Sequence, residues 1–157
     1  MTEFQNFIEQ VFKEQYEASF GPARLEELEP KDYYLIREEE GNLIALLHAQ
    51  QVLENIHIKA LVVDKEHQKK GLGASLLVEL EEKAAEAGVT SITLSTKSYQ
   101  ARDFYIKQGY EIYASLTDVP QIGVTKYHFI KWLKWAILRW VEVNWQSPLK
   151  FTKNKLC

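Results

Sequence analysis

The period of the apolar positions changes several times along the chain, and each change marks an element. Phe4, Phe7, Ile8, Val11, Phe12 and Tyr16 recur at spacings of three and four with Glu and Gln between them. That pattern predicts an amphipathic helix over about 3–18, ended by Gly21-Pro22. Ala23 to Asp32 is acidic, with room for a short second helix. Alternation then takes over. Tyr33–Arg37 and a run from Leu43 to about Leu53 read as strands, and Gly41-Asn42 supplies the positive-φ residues of a hairpin turn. Glu54-Asn55 predicts the next turn and Ile56–Val63 a third strand. Strict alternation there puts Ile56, Ile58, Ala60 and Val62 on one face and His57, Lys59, Leu61 and Val63 on the other.

Helical spacing returns with Leu72, Leu76, Leu77, Leu80, Ala84 and Ala87, opposite Glu79, Glu81, Glu82, Lys83 and Glu86. Gly88 stands where a helix C-terminus favours a left-handed residue. Val89–Thr96 is a β-branched strand, Ser98–Gln108 a second helical stretch ended by Gly109, and Tyr110–Leu116 a strand. Asp118-Val119-Pro120 turns the chain into a last strand, Val124–Trp132. The expected fold class is α/β (α+β): three antiparallel strands run into a βαβ crossover, and a final hairpin completes a mixed, mainly antiparallel sheet. Residues 1–132 form the expected domain and 133–157 a Trp-rich extension. All four tryptophans, Trp132, Trp135, Trp140 and Trp145, fall within fourteen residues. Leu133, Ala136, Ile137, Trp140 and Val141 make a helical stripe, read as packing on the domain itself or on a partner in a homodimer. A membrane-surface helix is disfavoured because its basic face is thin.

Composition narrows the class. With 157 residues, a net charge of −3 and a pI near 5.8, the chain offers no global case for nucleic-acid binding. The only cysteine is Cys157, which excludes an intrachain disulfide and fits a reducing, cytoplasmic compartment. The first fifteen residues lack the basic-then-apolar order of a signal peptide, and no run is long enough to span a membrane.

Against the acidic background, Lys65, His67, Lys69 and Lys70 form a local basic cluster. They lie in or just before a glycine-bearing loop, Gln68-Lys69-Lys70-Gly71-Leu72-Gly73, between a strand and a helix. The backbone N–H groups and dipole of such a helix start make a site for phosphate oxygens. A Walker loop needs Gly-Lys-Ser/Thr, and here Ala74-Ser75 follows Gly73. A dinucleotide loop needs a third glycine where Leu76 stands, and it would not follow a hairpin.

Gln68-x-x-Gly71-x-Gly73 after the Leu61-Val62-Val63 strand end resembles the coenzyme A loop of the GNAT acetyltransferase superfamily. The element order matches as well. A second block, Ser98-x-x-Ala101-x-x-Phe104-Tyr105-x-x-x-Gly109-Tyr110, is similar to that family's motif, with Ser98 where many members have Asn. Together with Leu116-x-Asp118-x-Pro120 and Tyr127-x-Phe129, it resembles a group of small bacterial-type members whose acceptors are mostly unassigned. The resemblance covers about 33–132.

The resemblance implies acetyl transfer from acetyl-CoA, as co-substrate, to a small-molecule or peptide amine by direct attack in a ternary complex, with no metal. The backbone of Leu61, Val62 and Val63 would pair with the pantetheine arm and offer an amide to the thioester oxyanion. Gln68, Lys69, Lys70, Gly71, Leu72, Gly73, Ala74 and Ser75 would hold the pyrophosphate, chiefly through backbone N–H groups. Tyr105 would protonate or hydrogen-bond the leaving thiolate. Ser98 would touch the cofactor, although helix capping alone would also account for it. His57, eleven residues before Gln68 and on the strand face read as Leu61's, is the candidate general base, with Glu54 and His48 as others. One further departure stands out. The first helix begins almost at Met1, so the family's first edge strand is missing or comes from a partner. The competing reading is a non-catalytic acyl-CoA-binding or partner-binding domain.

Overall fold

The computed structural model describes residues 2–133. Within them the chain runs α1 (Glu3–Phe20), a 3₁₀ segment Pro22–Leu28, β1 (Lys31–Glu39), β2 (Asn42–Val52), β3 (Asn55–Val63) and a short 3₁₀ turn Lys65–His67. It continues through α2 (Leu72–Glu86), β4 (Ser91–Lys97), α3 (Arg102–Lys107), β5 (Glu111–Thr117) and β6 (Thr125–Trp132). The six strands form one sheet in the order β1-β2-β3-β4-β6-β5, antiparallel except for β3 and β4. The mixed sheet with one βαβ crossover is the expected class. The stripe from Trp135 onward lies outside the described residues.

Several local readings shift for physical reasons. The first hairpin turns at Glu40-Gly41, both at positive φ (49° and 79°), and Asn42 already belongs to β2. Leu53, at φ 52°, takes the left-handed position of the second turn, which leaves Asn55 as the first residue of β3. The room read for a second helix is filled by the 3₁₀ segment, with Pro22 at its start. The second helical stretch is shorter than its pattern: α3 covers only Arg102–Lys107, and Ala101 precedes it as cap.

The core fills the space between α2 and the sheet. Phe129, Leu47, Ile56, Leu76, Leu77, Leu80, Ile92 and Leu94 are fully buried, and the α2 stripe faces β1, β2 and β3. Thr2 caps α1 through a capping box with Gln5, yet the helix buries no residue.

Two departures from regular pairing decide where the site lies. Between β2 and β3 the register shifts: His48 faces Ala60 and Ala49 faces Ile58, so Lys59 is an extra, bulged residue. Beyond it Leu61 pairs with Leu47 and shares the buried face of Ile58, whereas His57, opposite Gln50, points to the other side. His57 and Leu61 therefore lie on opposite faces, a correction to the strict alternation read from the sequence. The second departure is between β3 and β4. Their parallel ladder has three rungs, Asn55 with Ser91, Ile56 with Ile92 and His57 with Thr93, and then stops.

Candidate active site

The interrupted ladder leaves the later part of β3, Ile58–Val63, without a strand partner on its β4 side. Such an edge presents N–H and C=O groups to any extended arm that can lie along it. A cleft of about 750 Å³ opens at this point. Its walls are Leu61 and Val63 from β3, the loop and first turn of α2, and Tyr99, Ala101, Phe104 and Tyr105 around α3.

The α2 end of the cleft is built to receive negative charge. Gly71 adopts φ 78° as the residue before the helix, and Lys69 is also left-handed at φ 62°. No side chain caps α2 and its first turn holds no acid, so the Leu72, Gly73 and Ala74 N–H groups keep their donors for a ligand. Ser75 N–H already donates to Gly71 O at 3.0 Å, and Ser75 Oγ donates to Leu72 O at 2.8 Å. At Gly73 the approach is close: an added Cβ would lie 3.2 Å from Phe104 Cζ and 3.8 Å from Val63 Cγ2. There the floor of the cleft is backbone.

Around the loop, Gln68 Nε2 donates to Val63 O at 3.1 Å, which fixes the loop to the strand end. His67 sits between two carboxylates, 2.9 Å from Asp64 and 2.7 Å from Glu39, and these hold its pKa above the ordinary value.

At the other end Tyr105 is 6% exposed, packed edge-on to Tyr110 and tilted against Phe129. Burial pushes its pKa up to about 12. Among the described residues its hydroxyl, at the cleft wall, has no hydrogen-bond partner. A buried hydroxyl in that state costs free energy unless a ligand supplies the partner.

Of the residues singled out by sequence, Leu61, Val63, Gln68, Lys69, Gly71, Leu72, Gly73, Ala74 and Tyr105 line one cleft. Val62 points to the opposite face, and Lys70 and Ser75 lie beside the cleft rather than in its wall. Ser98 neither caps α3 nor lines the cleft: its Oγ accepts the Thr125 N–H at 3.2 Å and its N–H donates to Thr125 O at 2.8 Å, tying β4 to β6. His57 stands at the last rung of the short ladder, on the face away from α2, with Nδ1 2.9 Å from Thr93 Oγ1. Burial, with Lys59, His128 and Lys126 behind it, holds its pKa below the ordinary value. The other two base candidates are engaged elsewhere. His48 stacks on Tyr34 and meets Asp32 at 2.7 Å, and Glu54 pairs with Arg24 at 2.6 Å. The cleft also uses His67, Tyr99, Gln100 and Gln108, which no motif marked as site residues. Gln100 lines it with its Oε1 accepting from the Lys97 N–H at 3.1 Å and the Thr96 hydroxyl at 3.3 Å.

An anion-receiving helix start, an unpaired strand edge and a buried phenol in one cleft fit a phosphate-bearing thioester, and the sheet around them is that of an acyl-CoA N-acyltransferase. The chain belongs to the GNAT acetyltransferase family: the model of the Acetyltransferase (GNAT) family matches residues 2–110. It is 32% identical over 94 residues to blasticidin-S acetyltransferase of Streptomyces morookaense, covering 59% of this chain and 68% of that protein. A crystal structure of an acetyltransferase from Bacillus cereus superposes with a TM-score of 0.71 at 28% identity, over 85% of this chain and 94% of that one. An aminoglycoside 6′-N-acetyltransferase complexed with coenzyme A shares the fold, with a TM-score of 0.61 at 16% identity and the same coverage. The protein is an N-acetyltransferase with acetyl-CoA as its co-substrate. No helix among the described residues is long and apolar enough to cross a membrane.

Proposed function

We propose that the cleft holds acetyl-CoA with its pyrophosphate at the start of α2 and its pantetheine arm along β3, and that the acceptor amine enters from the opposite face through the gap between β3 and β4. The observation that carries this reading is the three-rung ladder. It opens the sheet between the buried Tyr105 hydroxyl on one side and the His57 imidazole on the other.

An alkylammonium with pKa near 10 is about one part in a thousand neutral at pH 7, so a base at the acceptor side accelerates the reaction. His57, kept neutral by burial and neighbouring cations, takes the ammonium proton directly or through one water. The neutral amine nitrogen bonds to the thioester carbonyl carbon, gives its remaining excess proton to solvent, and the carbon–sulfur bond breaks as the carbonyl re-forms. The Tyr105 hydroxyl, protonated across the physiological range, gives the leaving sulfur its hydrogen bond or proton. A free N–H of the β3 edge stabilises the charge on the carbonyl oxygen. No covalent acyl-enzyme is involved.

The acceptor is an amine on a small molecule or a peptide end. The similarity to a protein named for blasticidin S favours the small molecule. The test is release of the coenzyme thiol from acetyl-CoA against a panel of antibiotic amines, polyamines and N-terminal peptides. Turnover with one class above the hydrolysis background is expected. Binding of acetyl-CoA without thiol release across the whole panel would overturn this acceptor reading.

A further inference from the structure

The pattern of α1 is amphipathic, yet most of its apolar side is exposed in the described domain, with only Val11 and Tyr16 part-buried. Phe4, Phe7, Ile8 and Phe12 are 79, 67, 50 and 64% exposed, and its main contact is with the 3₁₀ segment that follows it. From Phe4 to Phe20 this stripe runs about 24 Å at 1.5 Å per residue. Aromatic surface of that length left in water is unfavourable, and a cover that removes it is favoured in proportion to the area hidden. By helical spacing Glu3 and Glu14 border the stripe on one side and Glu9 on the other. With Glu17, the helix carries four acids against Lys13 alone.

The chain continues past Leu133 for 24 residues of opposite character. Residues 134–157 hold Lys134, Arg139, Lys150, Lys153 and Lys155 against Glu142, together with Trp135, Ile137, Leu138, Trp140, Val141 and Trp145. Leu133, the residue before them, is linked by a chain of bonds to the segment that follows α1. Leu133 N–H donates to Thr90 O at 3.0 Å, and Thr90 N–H donates to Glu54 O at 2.8 Å. The Glu54 carboxylate pairs with Arg24 at 2.6 Å, in the segment on which α1 rests.

We propose that residues 134–157 of the same chain cover the apolar face of α1, their tryptophans and aliphatic side chains on Phe4, Phe7, Ile8 and Phe12 and their basic residues toward Glu3, Glu9 and Glu14. A second copy contributing its own α1 would oppose two acidic helices. The tail of the same chain brings the complementary charge and a tether, which sets an effective concentration in the millimolar range.

Limited trypsin digestion of the full-length protein tests this, read by mass spectrometry at Arg139 under conditions where cleavage tracks the open population. Two variants probe the two halves of the contact: Phe7→Ser/Phe12→Ser removes apolar cover, and Glu9→Lys/Glu14→Lys reverses charge. Neither touches a buried residue, so the melting of the sheet domain serves as the folding control. Cleavage after Arg139 is expected to run at least tenfold faster in both variants, at a rate independent of protein concentration and with a monomer mass throughout. Equal cleavage in the wild type and both variants would overturn the contact. Protection that grows with protein concentration alongside a dimer mass would assign the face to a second copy.

Discussion

Two side chains in the cleft carry opposite balances of stability and activity. Tyr105 buries a hydroxyl that no described residue satisfies, so Tyr105→Phe should melt at the same temperature as the wild type or slightly higher. Its kcat should fall by about 10²-fold while the KM for acetyl-CoA holds, because general-acid assistance acts in the transition state. Steady-state kinetics and a thermal melt decide this together, and an unchanged kcat would remove the acid role alone. Gly73→Ala places a Cβ against the Phe104 ring, which borders open space and can yield toward it. The expected cost to folding is within about 1 kcal/mol, partly offset by the better helix propensity of alanine. The yielding ring narrows the cleft, so the acetyl-CoA KM should rise several-fold with little loss in kcat. Both residues were legible in the sequence because the motifs that name them are local. The partner of Ser98 was not. Thr125 lies 27 residues on, and only strand pairing between β4 and β6 brings its N–H to the serine.

Among the elements, β3 carries the largest difference between pattern and structure. Its apolar alternation is genuine, but the bulge at Lys59 adds one residue and reverses the parity for everything after it. A single sequence shows alternation and cannot show which residue the partner strand skips, since that depends on β2. The consequence is chemical, because the bulge lets one strand line the cleft with Leu61 and Val63 while presenting His57 on the other face. With the His57 pKa held below 6.5, the acid limb of kcat/KM should fall below the ordinary histidine range. Activity should be lost as the imidazole gains its proton. Lys59→Met removes one of the cations and should move that limb upward, and His57→Gln should abolish it with a loss of about 10²-fold.

The loop before α2 behaves in the opposite sense. Asp64 and Glu39 raise the pKa of His67, so its contribution to stability is complete below pH 6.5 and is lost as pH rises through the folded value. The melting difference between wild type and His67→Gln should be largest near pH 6 and close in mild alkali. A gap that widened with pH would contradict the assigned pairing. The Lys65–Lys70 stretch read as a basic cluster from its sequence, and the acids that engage His67 come partly from β1, 28 residues away.

For the whole molecule the element order and the βαβ crossover were readable, because runs of period two and of three to four are long and well punctuated. The length of the β3–β4 ladder was not, since nothing in either strand's composition states how far two neighbours stay parallel. Coenzyme A at a hundred times its Kd should stabilise the domain by about 2.7 kcal/mol, a melting shift of several degrees that NAD and ATP should not reproduce.

The three-rung joint also bears on how the molecule moves. It divides the sheet into β1-β2-β3 and β4-β6-β5, two panels held together by three pairs of residues and by the helix that crosses between them. Each panel can keep its own twist, and the angle between them is set at the shortest ladder in the sheet. A ligand arm that bonds to β3 and rests against α3 braces that angle, so loss of the acetyl group by itself leaves the brace in place. Departure of the spent coenzyme should then form a separate step after bond making. Raising solvent viscosity should therefore slow kcat more than it slows a single turnover of preloaded enzyme, which ends before that departure.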